Sequence, residues 1–296
     1  MYANENTWVY LNDGFKQVKE VGASLFSQTL HYGNGVFEGI RAYSTEEGTH
    51  VFKAKEHYER LIYSAKVMGI QVDQSVEELI ELTYELLEKN DLTDAYIRPL
   101  VYLDDNMSLF TPKTSVLFLS AWRWGKLLGD QESKLCTSSY RRPDPKSLHV
   151  DAKVCGHYVN SILACNEAKA KGFDDALLLN ANGNVAEASG ANFFFEKNGV
   201  LYTPPKGNIL PGITRTTIME IAKELEYKVV EKYFTPEEVY GADGAFITGT
   251  AAEVTGLYAL DEQTFKMPFD ETIGAELSRR YQLLVRNKKV ELEMFV

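Results

Sequence analysis

The sequence predicts an α+β protein of two domains. Its 296 residues, 45% of them hydrophobic, are enough to bury one large core or two medium ones. Strand-like and helix-like patterns follow one another without the strict alternation of a doubly wound parallel sheet. After a continuous apolar run at residues 115–121, the stretch 122–130 breaks the pattern with two tryptophans and two glycines. The expected organisation is a small N-terminal domain over 1–121, a connecting loop over 122–134 and a larger C-terminal domain over 135–296.

Charge and cysteine usage narrow the function. A net charge of −11 and a pI near 5.1 argue against nonspecific binding of nucleic acid or an anionic membrane. Small anionic substrates stay open, because a local basic pocket can override the overall field. The N-terminal residues carry no basic region followed by an apolar run, and no stretch is long and apolar enough to span a bilayer. Cys136, Cys155 and Cys165 form no C-x-x-C pair, which fits a reducing cytoplasm better than a disulfide scaffold. The five histidines have no metal-ligand spacing, so no metal is expected.

In the first domain, residues 7–11 read as a strand, with Asn12, Asp13 and Gly14 as a hairpin turn. The segment HYGNGVFEGIRAY at 31–43 combines glycines, which allow close backbone approach, with aromatics and an arginine. Residues 53–68 have helical periodicity with Tyr58, Leu61, Ile62 and Ala65 on one stripe and Arg60 off it. Ser75 and Glu78 form a capping box ahead of a second amphipathic helix whose face is Val76, Leu79, Ile80, Thr83, Leu86 and Leu87. Residues 94–103 read as a strand. Pro99 within it cannot donate to a ladder, which predicts an edge or a bulge. Tyr96 and Arg98, two apart, fall on one face of that strand.

The second domain opens with a strand near 134–139 and a polar, proline-bearing turn at 141–145. A helix is expected from His157 through Ala170, stopped by Gly172. Strands follow at 174–180, 192–196 and 200–202, the last two joined at Asn198 and Gly199. LPGITR at 210–215 opens a helix with Ile218, Ile221, Ala222 and Leu225 inward, and its glycine leaves N–H groups available to an anion. Thr235 to Glu238 is another capping box. The strand 244–248 runs into GTAAE at 249–253, a small-residue turn able to present N–H groups and a hydroxyl. A last helix from Asp270 should turn Ile273, Leu277, Tyr281 and Leu284 inward.

Two segments draw the scattered signals together. AKVCGHYVNSIL at 152–163 offers a lysine and a tyrosine, and VAEASGAN at 185–192 offers a carboxylate. An amine, a phenol and an acid are the groups that hold pyridoxal phosphate, although most lysines are solvated surface residues and spacing alone says little. These segments resemble the lysine and glutamate motifs of the class IV aminotransferases, the fold type IV pyridoxal phosphate enzymes. With residues 31–41, 95–99, 210–215 and 249–255 in register, the chain resembles the branched-chain-amino-acid aminotransferases over roughly residues 8–258. The resemblance implies a homodimer or higher homo-oligomer of two-domain subunits, the larger domain built on a pseudo-barrel sheet. It also implies transamination of leucine, isoleucine and valine with 2-oxoglutarate.

It implies roles as well. Lys153 would bond the cofactor and later move the proton between Cα and C4′. Tyr158 would hold the 3′ oxygen and Glu187 the pyridine nitrogen. Arg60, Ile213, Thr214 and Thr250 would hold the phosphate. Thr250, Ala251, Ala252 and Tyr96 would hold the substrate α-carboxylate. Arg98, helped by Arg41, would meet the distal carboxylate of glutamate. Tyr32, Phe37, Gly39 and Trp124 would line an apolar pocket, some of them from the partner subunit. Cys155 reads as packing rather than as a nucleophile.

Two positions depart from the family pattern. Ala191 replaces a second acid of the glutamate motif, and His157 stands where a smaller or amide residue is common. A D-amino-acid or amine transaminase and an aminodeoxychorismate lyase are the rival readings on the same fold. A cofactor-retaining binding protein is the rival outside enzymes. The Tyr96-Ile97-Arg98-Pro99 segment favours the branched-chain reading.

Overall fold

A computed structural model describes residues 2–125 and 131–287. The chain forms two compact units that interleave in sequence. One takes Met1–Ala42, Val51–Gly125 and Pro143–Leu163; the other takes Tyr43–His50, Lys126–Arg142 and Ala164–Val296. The expectation of consecutive blocks at 1–121 and 135–296 differs from this division in two places. The hairpin tip at 43–50 clusters with the second unit, and residues 143–163, Lys153 among them, return to the first. Part of the expected connecting loop, residues 126–130, lies outside the described residues.

In the first unit, β1 (Trp8–Leu11) and β2 (Gly14–Gln17) form the expected hairpin, with Asn12 at φ 51° in its turn. After α1 (Gln28–Tyr32) come β3 (Gly35–Phe37), β4 (Ile40–Thr45) and β5 (Gly48–Val51), the last two reaching into the 43–50 tip that clusters with the second unit, then α2 (Ala54–Val67), α3 (Val76–Lys89), β6 (Ala95–Tyr102) and β7 (Val116–Trp122). The sheet order is β2-β1-β7-β6-β4-β5, with β3 also on β6. α3 begins at the capping box: the Glu78 amide donates to Ser75 Oγ at 3.2 Å and the Ser75 amide donates to Glu78 Oε2 at 2.7 Å. Its inward face carries Leu79, Thr83, Leu86 and Leu87, which join Tyr58, Leu61 and Ala65 of α2 over the sheet.

β6 corrects the expectation of an edge or bulge at Pro99. It is an interior strand, paired without a slip to β7 and on its other side to β3 and β4. The proline is tolerated because its missing N–H faces the interruption between those two strands. There the Glu38 amide donates to the Pro99 carbonyl at 2.9 Å, and neither Glu38 nor Gly39 belongs to a strand. β7 also runs through Trp122, which the sequence placed in the loop.

The second unit contains β8 (Ser133–Arg141), most of α4 (Tyr158–Ala170), β9 (Asp175–Leu179), β10 (Val185–Ala188), β11 (Asn192–Lys197) and β12 (Val200–Thr203). α5 (Ile213–Glu224), β13 (Lys228–Glu231), α6 (Pro236–Val239), β14 (Gly244–Gly249), β15 (Glu253–Leu260), the short β16 (Gln263–Thr264) paired to β15, and α7 (Ile273–Val285) follow. The sheet order is β10-β9-β8-β15-β14-β11-β12-β13, and β10 also pairs with β11. The six strands from β10 round to β11 therefore close on themselves, the pseudo-barrel that the resemblance implied. Phe193, Phe195, Ile247, Leu257 and Leu135 form its core with Phe234. Arg215, almost fully buried, ties α5 down through Nη2 to the Pro204 carbonyl at 2.9 Å and to Glu231 at 2.7 Å.

α7 buries Leu277, Tyr281 and Val285, while Leu284, expected inward, is 44% exposed. From Tyr281 the next inward position is reached by a step of three or four residues, and packing takes the four. Leu277→Ala should therefore cost about 2–5 kcal/mol of unfolding free energy and Leu284→Ser less than about 0.5 kcal/mol in denaturant titrations. Equal losses would contradict this packing of the helix.

Candidate active site

Lys153 is placed by its backbone. Its amide donates to Ser64 Oγ of α2 at 2.9 Å, and its carbonyl accepts from the Phe37 amide of β3 at 3.1 Å. The following turn is held by the glycine segment. The Gly156 amide donates to the Gly33 carbonyl at 3.0 Å, and a Cβ on Gly33, at φ 71°, would fall 2.7 Å from Gly156 Cα. Only a residue without a side chain fits there. The Lys153 amine donates to the Tyr158 hydroxyl at 2.8 Å and lies 5.1 Å from the centre of the Phe37 ring. Phe37 and Tyr158 themselves touch, with ring centres 4.8 Å apart.

Beside Phe37, Glu38 is fully buried. Arg60 Nε and Nη2 donate to its two oxygens at 2.6 and 2.9 Å, and His57 Nδ1 lies 2.8 Å from Oε2. Burial alone would push this carboxyl up, but Arg60 and His57 outweigh it and hold it well below the usual carboxylate range. Burial pushes His57 down against the pull of Glu38, leaving a neutral imidazole near pH 7. The guanidinium of Arg60 is thus fixed by a two-point contact to a carboxylate that the protein never exposes.

Tyr96 and Arg98 meet as their spacing predicted. Arg98 Nη2 donates to Tyr96 Oη at 3.0 Å, and its guanidinium lies 4.6 Å from the Phe37 ring centre. Gly39 makes room for that hydroxyl, because a Cβ there would fall 2.1 Å from Tyr96 Oη. Trp124 packs edge-on against Tyr96 at 4.8 Å. Arg41 Nη2 donates to the carbonyls of Trp124 at 2.9 Å and Gly125 at 2.5 Å, so it straps the segment that carries this tryptophan. Burial pushes the Cys155 thiol up to about 11, which fits its reading as packing.

Within the second unit, Glu187 on β10 is 6% exposed and held from several directions. Arg142 Nη2 lies 2.7 Å from Oε1, Asn192 Nδ2 donates to Oε2 at 3.0 Å, and the Leu210 amide lies 3.2 Å from both oxygens. A Cβ on Gly212 would fall 2.0 Å from Asn192 Oδ1, so the start of α5 is drawn close to this pair. No side chain caps α5, whose first residues are Ile213 and the buried Thr214. Thr250, Ala251 and Ala252 form the turn from β14 to β15. Ala191 packs beside that turn, where its Cβ lies 3.5 Å from the position a Cβ on Gly249 would take.

In the first unit, then, Lys153, Tyr158, Phe37, Gly39, Tyr96, Arg98 and Trp124 come together. In the second, Glu187 stands close to the start of α5, and the turn bearing Thr250 follows β14, the strand beside β11. Tyr32 ends α1 and is 47% exposed, its hydroxyl donating to the Met107 carbonyl at 3.3 Å. Reasoning from sequence missed Glu38, His57 and Arg142. Glu38 lay in a noted motif without a role. Arg142 was read as part of a polar turn, and nothing local links it to Glu187. Among the described residues no cluster of metal-ligating side chains exists and no helix is long and apolar enough to cross a membrane.

Comparison with known proteins shows the family. The family model described as amino-transferase class IV matches residues 35–259. A branched-chain-amino-acid aminotransferase from Pseudomonas aeruginosa is 40% identical over 292 residues, 97% of this chain and 95% of that one. The crystal structure of a branched-chain aminotransferase from the archaeon Thermoproteus uzoniensis, with norvaline, superposes with a TM-score of 0.92 at 38% identity, covering 96% of each chain. That of a branched-chain amino acid aminotransferase from Thermobaculum terrenum, in its PLP-form, gives 0.91 at 31% identity, covering 97% of this chain and 96% of that one. A lysine amine against a tyrosine phenol, a buried carboxylate and an uncapped helix start are groups a pyridoxal phosphate enzyme needs, and the chain belongs to the class IV aminotransferases.

Proposed function

We propose that this protein transfers the amino group of leucine, isoleucine or valine to 2-oxoglutarate, using pyridoxal 5'-phosphate and giving a branched 2-oxo acid and L-glutamate. The observation that carries the reading is the cluster in which the Lys153 amine, the Tyr158 phenol, the Phe37 ring and the Tyr96–Arg98 pair adjoin one another. Bound there, pyridoxal phosphate supplies an electron sink for the pair left at Cα when its proton departs. The remaining work falls to side chains. Lys153 would hold the cofactor through its aldehyde and would serve as the group that moves the proton between Cα and C4′. Tyr158 would orient the cofactor through its 3′ oxygen. Glu187 would hold its ring nitrogen.

Arg60 would serve the phosphate as a cation, and the start of α5 at Ile213 and Thr214 and the Thr250 hydroxyl would serve it as donors, a sound pairing for a dianion. The turn Thr250, Ala251 and Ala252 would offer donors to the substrate α-carboxylate, and Tyr96 would offer it a hydroxyl. Phe37, Gly39 and Trp124 give leucine apolar walls, and Arg98 gives glutamate a cation. Arg41, which grips the Trp124 segment, would help Arg98 at the distal carboxylate. The D-amino-acid, amine and lyase readings lack an observation of their own.

The chain works as a cytoplasmic homodimer in this reading. Its three cysteines are free thiols, as a reducing compartment requires. Leu25, Phe26, Leu30, Leu109 and Phe110 are 63–88% exposed, and hydrogen bonds from Asn106 to Phe26 and from Gln28 to Phe110 hold their segments together. An apolar face of this kind, carrying Tyr32 beside it, suits a second copy that would use Tyr32 in its own pocket. Light scattering should give twice the chain mass, and Leu109→Asp with Phe110→Asp should lower it. A monomer at micromolar concentration would contradict the dimer.

The two substrates differ only beyond Cβ, so one variant tests the pocket. Arg98→Met should cost 2-oxoglutarate and glutamate roughly 2–4 kcal/mol, about thirty- to a thousandfold in kcat/KM. The leucine half-reaction, followed by single-turnover absorbance, should change much less. Equal losses in both would mean that Arg98 serves the shared α-carboxylate or the fold. No glutamate from leucine and 2-oxoglutarate in the unmodified protein would overturn the reading itself.

A further inference from the structure

Arg142 follows β8, its amide donating to the Leu179 carbonyl at 2.8 Å, and its side chain is 8% exposed. One guanidinium nitrogen, Nη2, lies 2.7 Å from Glu187 Oε1. Its Nε is buried and has no hydrogen-bond partner among the described residues. A buried ion pair is weak evidence of stabilisation, and an unmade buried donor is costly, so stability alone gives poor reason for an arginine here. The effect on Glu187 gives a better one. Asn192 and the Leu210 amide would serve a carboxylate, yet a carboxyl out of water prefers to be neutral. A neutral carboxyl cannot favour a protonated ring nitrogen. A cation at 2.7 Å favours the ionised form and fixes one oxygen, while Asn192 fixes the other.

We infer that Arg142 is a positioning residue that keeps Glu187 ionised and correctly oriented toward the pyridine nitrogen of the cofactor. This rests on the reading of Glu187 given above. Removing the guanidinium leaves the phosphate and carboxylate contacts in place. It therefore affects the protonation of the ring and the loss of the Cα proton, and leaves substrate binding largely unchanged. Lysine at the same position keeps the charge but loses the planar fork, so it restores the charge state better than the orientation.

The test uses the holoenzyme with Arg142→Met, Arg142→Lys, Glu187→Gln and the double variant Arg142→Met with Glu187→Gln. Three quantities are read: the pH profile of the bound cofactor's visible absorbance, the single-turnover rate of Cα proton loss from leucine, and the KM for leucine. Arg142→Met should lower the rate about ten- to a hundredfold, the value of one charge-assisted hydrogen bond. It should shift the absorbance profile and leave KM nearly unchanged, and Arg142→Lys should recover most of the profile. In the Glu187→Gln background Arg142→Met should add nothing further. Losses that multiply in the double variant, or an Arg142→Met enzyme with wild-type rate and profile, would overturn the inference. Near-normal turnover in Glu187→Gln alone would instead show that the reading of Glu187 is wrong. If Arg142→Met does not fold, Arg142→Gln takes its place: glutamine must lose the wild-type profile and lysine must keep it, and the reverse would refute the role.

Discussion

The backbone of Lys153 is held from two sides, by the Ser64 hydroxyl on α2 and by the Phe37 amide on β3, and the turn beyond it is pinned where Gly156 meets Gly33. With the backbone fixed, the amine has little choice but the space between Tyr158 and Phe37. In the proposed function Lys153 is a base that acts at one atom, and such a base gains from preorganisation because reorientation need not be supplied during the reaction. The same short strand β3 leads into Glu38 and Gly39, and so couples the lysine to the Arg60 anchor and to the room made for Tyr96.

Two buried carboxylates are handled in the same way. Glu38 has Arg60 on both oxygens and His57 on one; Glu187 has Arg142 on one, Asn192 on the other and a backbone amide near both. An isolated buried charge would cost several kcal/mol, and here each is met by a guanidinium and by further donors. The partners do more than neutralise. They also orient each acid, since donors reach both of its oxygens. Arg41 extends the principle to a loop, since its guanidinium grips two successive carbonyls and sets Trp124 against Tyr96.

What was legible in the sequence is what a few neighbouring residues decide. The capping box at Ser75, the turns at Asn12 and Asn198, and the same-face pair Tyr96 and Arg98 depend on local geometry, and they appear as read. The inward face of α7 was half legible, because periodicity admits both Leu284 and Val285 after Tyr281 and only packing chooses. Pro99 misled for a related reason. Its rule concerns a missing donor, and the sequence does not display the gap at Glu38 and Gly39 that makes the donor unnecessary. The Arg142–Glu187 pair and the Arg41 strap were invisible, since a contact between distant segments leaves no spacing to read. The lysine and glutamate motifs were found through family resemblance, and the geometry then gave physical reasons for their residues.

The central claim is that Lys153, so held, is the residue that bonds the cofactor. Loading the protein with pyridoxal phosphate, reducing it with borohydride and mapping the modified peptide by mass spectrometry addresses that claim without relying on turnover. The account predicts a single phosphopyridoxyl group on the peptide containing Lys153, and none when Lys153 is replaced by alanine. Modification of another lysine in the unmodified protein, or an unchanged yield in the alanine variant, would contradict it.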